Sequence, residues 1–129
     1  MKVAFTSSDG RIIDQHFGMA GEYWIWEVGP AEARFLGRVS PLLREGDEED
    51  RTNARAAAVE GCAIVYTVQI GGPAAAKLVA RRIHPMKTRG AVPVEEAIAR
   101  LQGVLAGRPP PWLRRAMAGR SAPEQPAED

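Results

Sequence analysis

Two short stretches near the N-terminus carry the pattern expected of strands. Lys2 to Ser7 reads as a first strand, and Tyr23 to Val28 concentrates aromatic and β-branched residues. Between them, Asp9-Gly10 predicts a tight turn, because both central positions of a type I′ turn need positive φ. Arg11 to Ile13 begins the return, which the polar, glycine-containing stretch 14–21 interrupts. Gly29-Pro30 turns the chain again and Arg34 to Val39 reads as a third strand, so this part is expected to form an antiparallel meander.

The pattern then changes. Glu45, Asp47, Glu48, Glu49 and Asp50 read as a mobile acidic loop between Arg44 and Arg51. It leads to a helix that starts at Thr52 or Asn53, runs to about Glu60 and is capped by Gly61. Ala63 to Val68 is apolar without alternation, as expected of a central strand covered on both faces. Gly71-Gly72-Pro73 opens a second helix ending near Arg82, Pro being favoured at the first helical position. Ile83 to Lys87 follows as a short strand. Val94 to Leu105, with Ile98, Leu101 and Leu105 on one face, reads as a third helix ended by Gly107. From Arg108 the sequence is Pro-rich and charged, with too little apolar content to fold independently. The expectation is an α/β domain over residues 1–107, a mixed five-stranded sheet flanked by helices, and a flexible tail over 108–129. In that tail Pro109-Pro110-Pro111 would hold Trp112 and Leu113 for packing on the domain or on a partner. This element order is shared with ribonuclease H-like folds.

Composition narrows the function. The chain has 129 residues, and 17 basic minus 16 acidic residues leave +1, which removes the general electrostatic case for nucleic acid. No apolar run approaches the ~20 residues of a membrane span, and Met1 to Ser8 is a strand rather than a signal, so a cytoplasmic protein without membrane contact is expected. Cys62 is the single cysteine, and one thiol cannot supply the four thiolates of a structural zinc or an iron–sulfur cluster. Any metal cluster held here must arrive already built.

Few residues can carry chemistry. His16 sits in Asp14-Gln15-His16-Phe17-Gly18, beside a glycine that allows close approach. It reads either as a metal ligand or as a loop histidine bonded to a neighbouring carbonyl. His84 follows a helix carrying Lys77, Arg81 and Arg82, and no acid occurs from Gly61 to Pro93, where Lys87 and Arg89 add further positive charge. This is either a solvated basic face or an anion site. The second reading gains from the glycine-entered helix N-terminus at Gly71-Gly72, with its free N–H groups and positive dipole end. Cys62 reads as a small buried hydrophobe or a thiol ligand, and Trp24 and Trp26 as packing residues. Asp9, Asp14, Glu22 and Glu60 are the carboxylates a metal-dependent hydrolase would need. No Ser-His-Asp, Cys-X-X-Cys or paired-histidine pattern is present, and no catalytic residues are assigned.

Lys2-Val3-Ala4-Phe5-Thr6-Ser7-Ser8-Asp9-Gly10, Asp14 to Gly18, Gly61-Cys62-Ala63-Ile64-Val65, Ile70 to Lys77 and Ile83-His84-Pro85, in that order and spacing, carry a resemblance. The chain resembles the dinitrogenase iron-molybdenum cofactor biosynthesis family, the NifX-like group related to NifY, the NafY core domain and the NifB C-terminal domain. The match spans about residues 1–106, and the Pro-rich tail with Trp112 looks like that of the NifX group. The resemblance implies a ribonuclease H-like fold. It also implies a non-enzymatic carrier that transiently binds the iron-molybdenum cofactor or its iron–sulfur precursor, the NifB cofactor, and exchanges it with NifEN and NifB. His16 matches the family's proposed ligand, and Cys62 or His84 would supply a second one. Phe17, Gly18, Gly71, Gly72, Lys77, Arg81, Arg82, His84 and Lys87 would complete the cofactor-binding surface.

Two other functions stay open on the residues alone. One is a ribonuclease H-like hydrolase using Asp9, Asp14 and Glu60 with a metal. The other is a docking module whose acidic loop and Trp112 tail meet a protein while the basic face meets a phosphorylated ligand.

Overall fold

The computed structural model describes residues 1–121. Strands β1 (Lys2–Thr6), β3 (Tyr23–Val28), β4 (Ala33–Val39), β5 (Ile64–Thr67) and β6 (His84–Lys87) form one sheet in the order β4-β3-β1-β5-β6. β3 is antiparallel to β1 and β4, whereas β5 and β6 run parallel to β1. β5 is an interior strand and all four of its residues are buried, as its unbroken apolar run requires. Helices α1 (Glu48–Ala58) and α2 (Gly72–Ala80) cover one face, closing a core around Ala4, Tyr23, Ile25, Val65, Leu78 and Ile83. Helix α3 (Val94–Ala106) packs Val94, Ile98, Leu101 and Leu105 against Val3, Phe5, Ile64 and Tyr66 on the other.

Three expectations need correction. The antiparallel meander forms from β1, β3 and β4, but its interrupted return is diverted: Ile13 makes a single antiparallel bridge to Ser7, and β2 (Ile12–Ile13) pairs with β7 (Val92–Pro93) outside the main sheet. A two-residue strand has no period to read, so its partner is set by where the loop after β1 is folded. Nor is the acidic run a loop. Asp47 accepts from the Asp50 N–H at 2.9 Å while the Asp50 carboxylate receives the Asp47 N–H, a capping box that starts α1 at Glu48. The acids that follow sit in the first turn, where they meet the positive end of the helix dipole.

The third correction concerns the C-terminal segment. Pro111–Ser121 is helix α4 rather than an extended stretch, with Pro111 at its start where the missing N–H costs nothing. Leu113 is buried in the α3-side core and Trp112, Ala116 and Met117 pack against it. Residues 122–129 of the expected tail lie outside the described residues. Among the described residues, no helix is long and apolar enough to cross a membrane.

Candidate functional site

The loop that leaves β1 is held at almost every step. Ser7 Oγ accepts from the Gly10 N–H at 2.7 Å, and Ser8 donates through its N–H and hydroxyl to Asp14 at 2.9 and 2.7 Å. The Asp9 carboxylate accepts from the Arg11 and Ile12 N–H groups, which hold its carboxyl below the ordinary value. Gly10 adopts φ +84°, and a Cβ there would lie 2.5 Å from the Trp24 ring, so only glycine satisfies both the turn and the close approach. Trp24 in turn donates from Nε1 to the Ser7 carbonyl at 3.0 Å.

Beyond this turn the chain is fastened to the ends of two strands. The hydroxyls of Thr6 and Thr67, both fully buried, each lie 3.0 Å from the Gln15 carbonyl, which the Val68 N–H also reaches at 3.1 Å. His16 pairs with Gln69 as an isolated parallel bridge, and the Phe17 N–H donates to the Gln69 carbonyl at 2.8 Å. Phe17 is buried, and its carbonyl accepts from the Tyr23 hydroxyl at 2.8 Å. Burial raises the Tyr23 pKa, so the phenol remains a donor. Arg55, from α1, reaches the Ala20 carbonyl at 2.5 Å and the Tyr23 oxygen at 3.1 Å. His16 and Gly18 are nevertheless exposed, and the Gly18 position is open. The result is an exposed imidazole on a loop fixed from beneath. Thr6, Thr67, Tyr23 and Arg55 position it, and sequence reasoning missed all four because an isolated Thr or Tyr in a strand signals only β propensity.

The pairing with Gln69 also sets what lies next to His16. Two residues later Gly71 is the N-cap of α2, and the Ala75 N–H makes the first helical bond to the Gly71 carbonyl at 3.0 Å. The N–H groups of Gly72 and Ala74 precede that bond and have no acceptor within the helix, at its positive end. Lys87 ends β6 opposite Thr67, so it stands at the same end of the sheet, the carboxyl ends of the parallel strands. In open α/β sheets this is the end where ligands gather.

The other predicted residues are elsewhere. Cys62 precedes β5 and His84 begins β6, in register with Ile64, which places both at the opposite end of the sheet from His16. α2 runs back along the sheet over nine residues, about 13 Å, and carries Arg81 and Arg82 to that same far end. Cys62 and His84 therefore cannot complete a ligand set with His16. Cys62 is buried in the α1/α2 core. His84 stacks on Trp112 with ring centroids 4.0 Å apart, and burial lowers its pKa from the usual 6.5.

The continuous basic face is also interrupted. Lys77 pairs with Glu49 at 3.4 Å and Arg81 with Glu60 at 2.7 Å, because α1 and the turn that follows it lie beside α2 and bring these acids across. The hydrolase carboxylates fare no better as a set: Asp9 and Asp14 serve the β1 loop, Glu60 lies at the far end, and Glu22 pairs with Arg38. Among the described residues no three His, Cys, Asp or Glu converge on a point that could hold a metal ion.

Comparison with known proteins adds the last observations. The profile of the family described as dinitrogenase iron-molybdenum cofactor matches residues 1–103. The chain is 40% identical to Protein NifX of Herbaspirillum seropedicae over 119 residues, covering 91% of this chain and 82% of that one. It is 39% identical to Protein NifY of Azotobacter vinelandii over 91% of this chain, but spans only 48% of that protein. A stretch covering 74% of the chain is 31% identical to 20% of the FeMo cofactor biosynthesis protein NifB of Azotobacter vinelandii. In structure, the chain is similar to PH0822, with a TM-score of 0.59 at 19% identity over 80% of this chain and 91% of the other, which shows a shared fold.

Proposed function

Since the chain belongs to the dinitrogenase iron-molybdenum cofactor family, with a role in iron-molybdenum cofactor biosynthesis, we propose that it is a non-enzymatic carrier. Its cargo is the preassembled iron–sulfur precursor of that cofactor, the NifB cofactor, or a later form, held transiently. The observation that carries this reading is the exposed His16 on a loop fastened to the segment that opens α2. A finished cluster brings its own sulfides and needs from the protein only an open ligand and donors for its negative charge. His16 supplies the ligand. The N–H groups at Gly72 and Ala74, the open backbone at Gly18 and the Lys87 ammonium face the charge. One protein ligand also allows release, as exchange with a scaffold such as NifEN, or receipt from NifB, requires.

The strand order, three antiparallel strands followed by two parallel ones, supports placing the fold in the ribonuclease H-like class. The scattered carboxylates give no support to a hydrolase on that sheet. Anaerobic titration of the protein with isolated NifB cofactor, followed by visible absorption and gel filtration, tests the proposal. The parent is expected to retain a brown cluster through the column, and His16→Ala to lose at least nine-tenths of it while melting like the parent. Equal retention by the variant would refute His16 as ligand, and no retention by the parent would refute the carrier reading.

A further inference from the structure

The far end of the sheet has a cleft of its own, remote from His16. It opens over the start of the edge strand β6, between the last turn of α2 on one face and α4 on the other, and encloses about 640 Å³. That is within the range of small-molecule sites, roughly 300–1,000 Å³. Its walls have two kinds of surface. Val79, 61% exposed, and Ala116 supply an apolar side, continued by the stacked rings of His84 and Trp112. Arg82, just past α2, and Arg115, on α4, line it from opposite sides.

Two features fix where these residues stand. Arg82 holds φ +63°, the only residue other than glycine with positive φ among the described residues. It is the left-handed residue that ends α2 in a Schellman turn, its N–H returning to the Val79 carbonyl at 2.9 Å. The Ile83 N–H returns to the Leu78 carbonyl at 2.9 Å, which fixes that turn and directs the chain into β6. Trp112 is brought to the cleft by the burial of its neighbour Leu113, which seats α4 against the core.

We infer that this cleft binds a small amphiphilic anion, a carboxylate or phosphate head on an apolar body, with Arg82 and Arg115 on the head and Val79, Ala116 and Trp112 against the body. Guanidinium is the side chain suited to either head, since its planar fork meets two oxygens at once. The apolar wall excludes a bare inorganic ion as the preferred occupant, because such an ion would leave that wall in water. The site is independent of the cluster-carrying reading, and neither depends on the other.

The probe is 8-anilinonaphthalene-1-sulfonate, an anion with an aromatic body, titrated into the full chain without any cluster. One saturable site is expected, with energy transfer from tryptophan that falls in Trp112→Phe. Arg82→Gly, which suits the positive φ and so keeps the fold, and Arg115→Glu should each weaken binding at least tenfold without lowering the melting temperature. Octanoate and octyl phosphate should displace the dye at concentrations where inorganic phosphate does not, and whichever acts at the lower concentration identifies the head. Unchanged affinity in both arginine variants, or displacement by inorganic phosphate as effective as by the organic anions, would overturn the assignment. His16→Ala should bind the dye like the parent, and a large loss there would also count against a separate site.

Discussion

The His84 imidazole lies over the Trp112 indole, with ring centroids 4.0 Å apart and planes 20° from parallel. The contact joins the first residue of β6 to the first turn of α4, so the C-terminal helix is tied to the sheet by an aromatic stack as well as by buried Leu113. A chain truncated after Gly107 is therefore expected to melt lower than the parent. Leu113→Ala alone should cost about 2–4 kcal/mol by leaving a cavity, and lower the melting temperature by roughly 10 °C. Thermal unfolding by circular dichroism checks it, and an unchanged melting temperature would show that α4 contributes nothing to the fold.

The same stack makes stability depend on pH. Burial lowers the folded pKa of His84 below 6.5, so the unfolded chain binds the proton more readily. Its contribution is fully present above about pH 6.5 and is lost as pH falls through the folded value. Urea unfolding at pH 8 and pH 5 should show a larger loss on acidification in the parent than in His84→Gln. Equal slopes would show that the ring titrates alike in both states.

Thr6 and Thr67 anchor the loop that presents His16. Replacing both with Val keeps the shape and removes two hydroxyl donors from the half-buried Gln15 carbonyl, leaving it the Val68 N–H, which should cost about 1–3 kcal/mol for the two bonds. Cluster retention should fall with it, although neither hydroxyl is exposed. If the double variant lost stability but retained cluster like the parent, the anchoring would serve the fold alone.

Charge should act according to the end of the sheet on which it lies. Lys87→Glu is expected to weaken cluster capture and flatten its salt dependence. Arg81→Glu should do so far less, because it lies at the opposite end and exposed charges are screened over ~8 Å at physiological ionic strength. Capture rates measured by stopped flow at two salt concentrations decide between them, and a larger effect from Arg81 would move the site to the far end.

Cys62→Ala should lower stability by about 1 kcal/mol through lost packing in the α1/α2 core, with cluster retention unchanged. Retention that disappeared in a normally folding variant would restore the thiol as a ligand.

Much of the architecture was legible locally. The strands at 2–6, 23–28 and 64–67 and the helices at 72–80 and 94–106 follow from aromatic and β-branched enrichment, unbroken apolar runs, Gly-Pro entry and a 3.6-residue apolar period, all properties of neighbouring residues. The motif around His16 was visible too, as an unusual loop. Where local signals were weak, tertiary contacts decided. α4 carries too little apolar surface to be stable alone, and it exists because Leu113 reaches a core to which residues as distant in sequence as Val3 and Phe5 contribute. The grouping of site residues belongs to the same class. His16, Cys62 and His84 are equally plausible ligands in a linear sequence. The parallel pairing of β1, β5 and β6, with α2 crossing back between the last two, sends His16 to the carboxyl end of the sheet and the other two to the amino end. Direction along a parallel sheet is a property of the assembled strands, and no single segment encodes it.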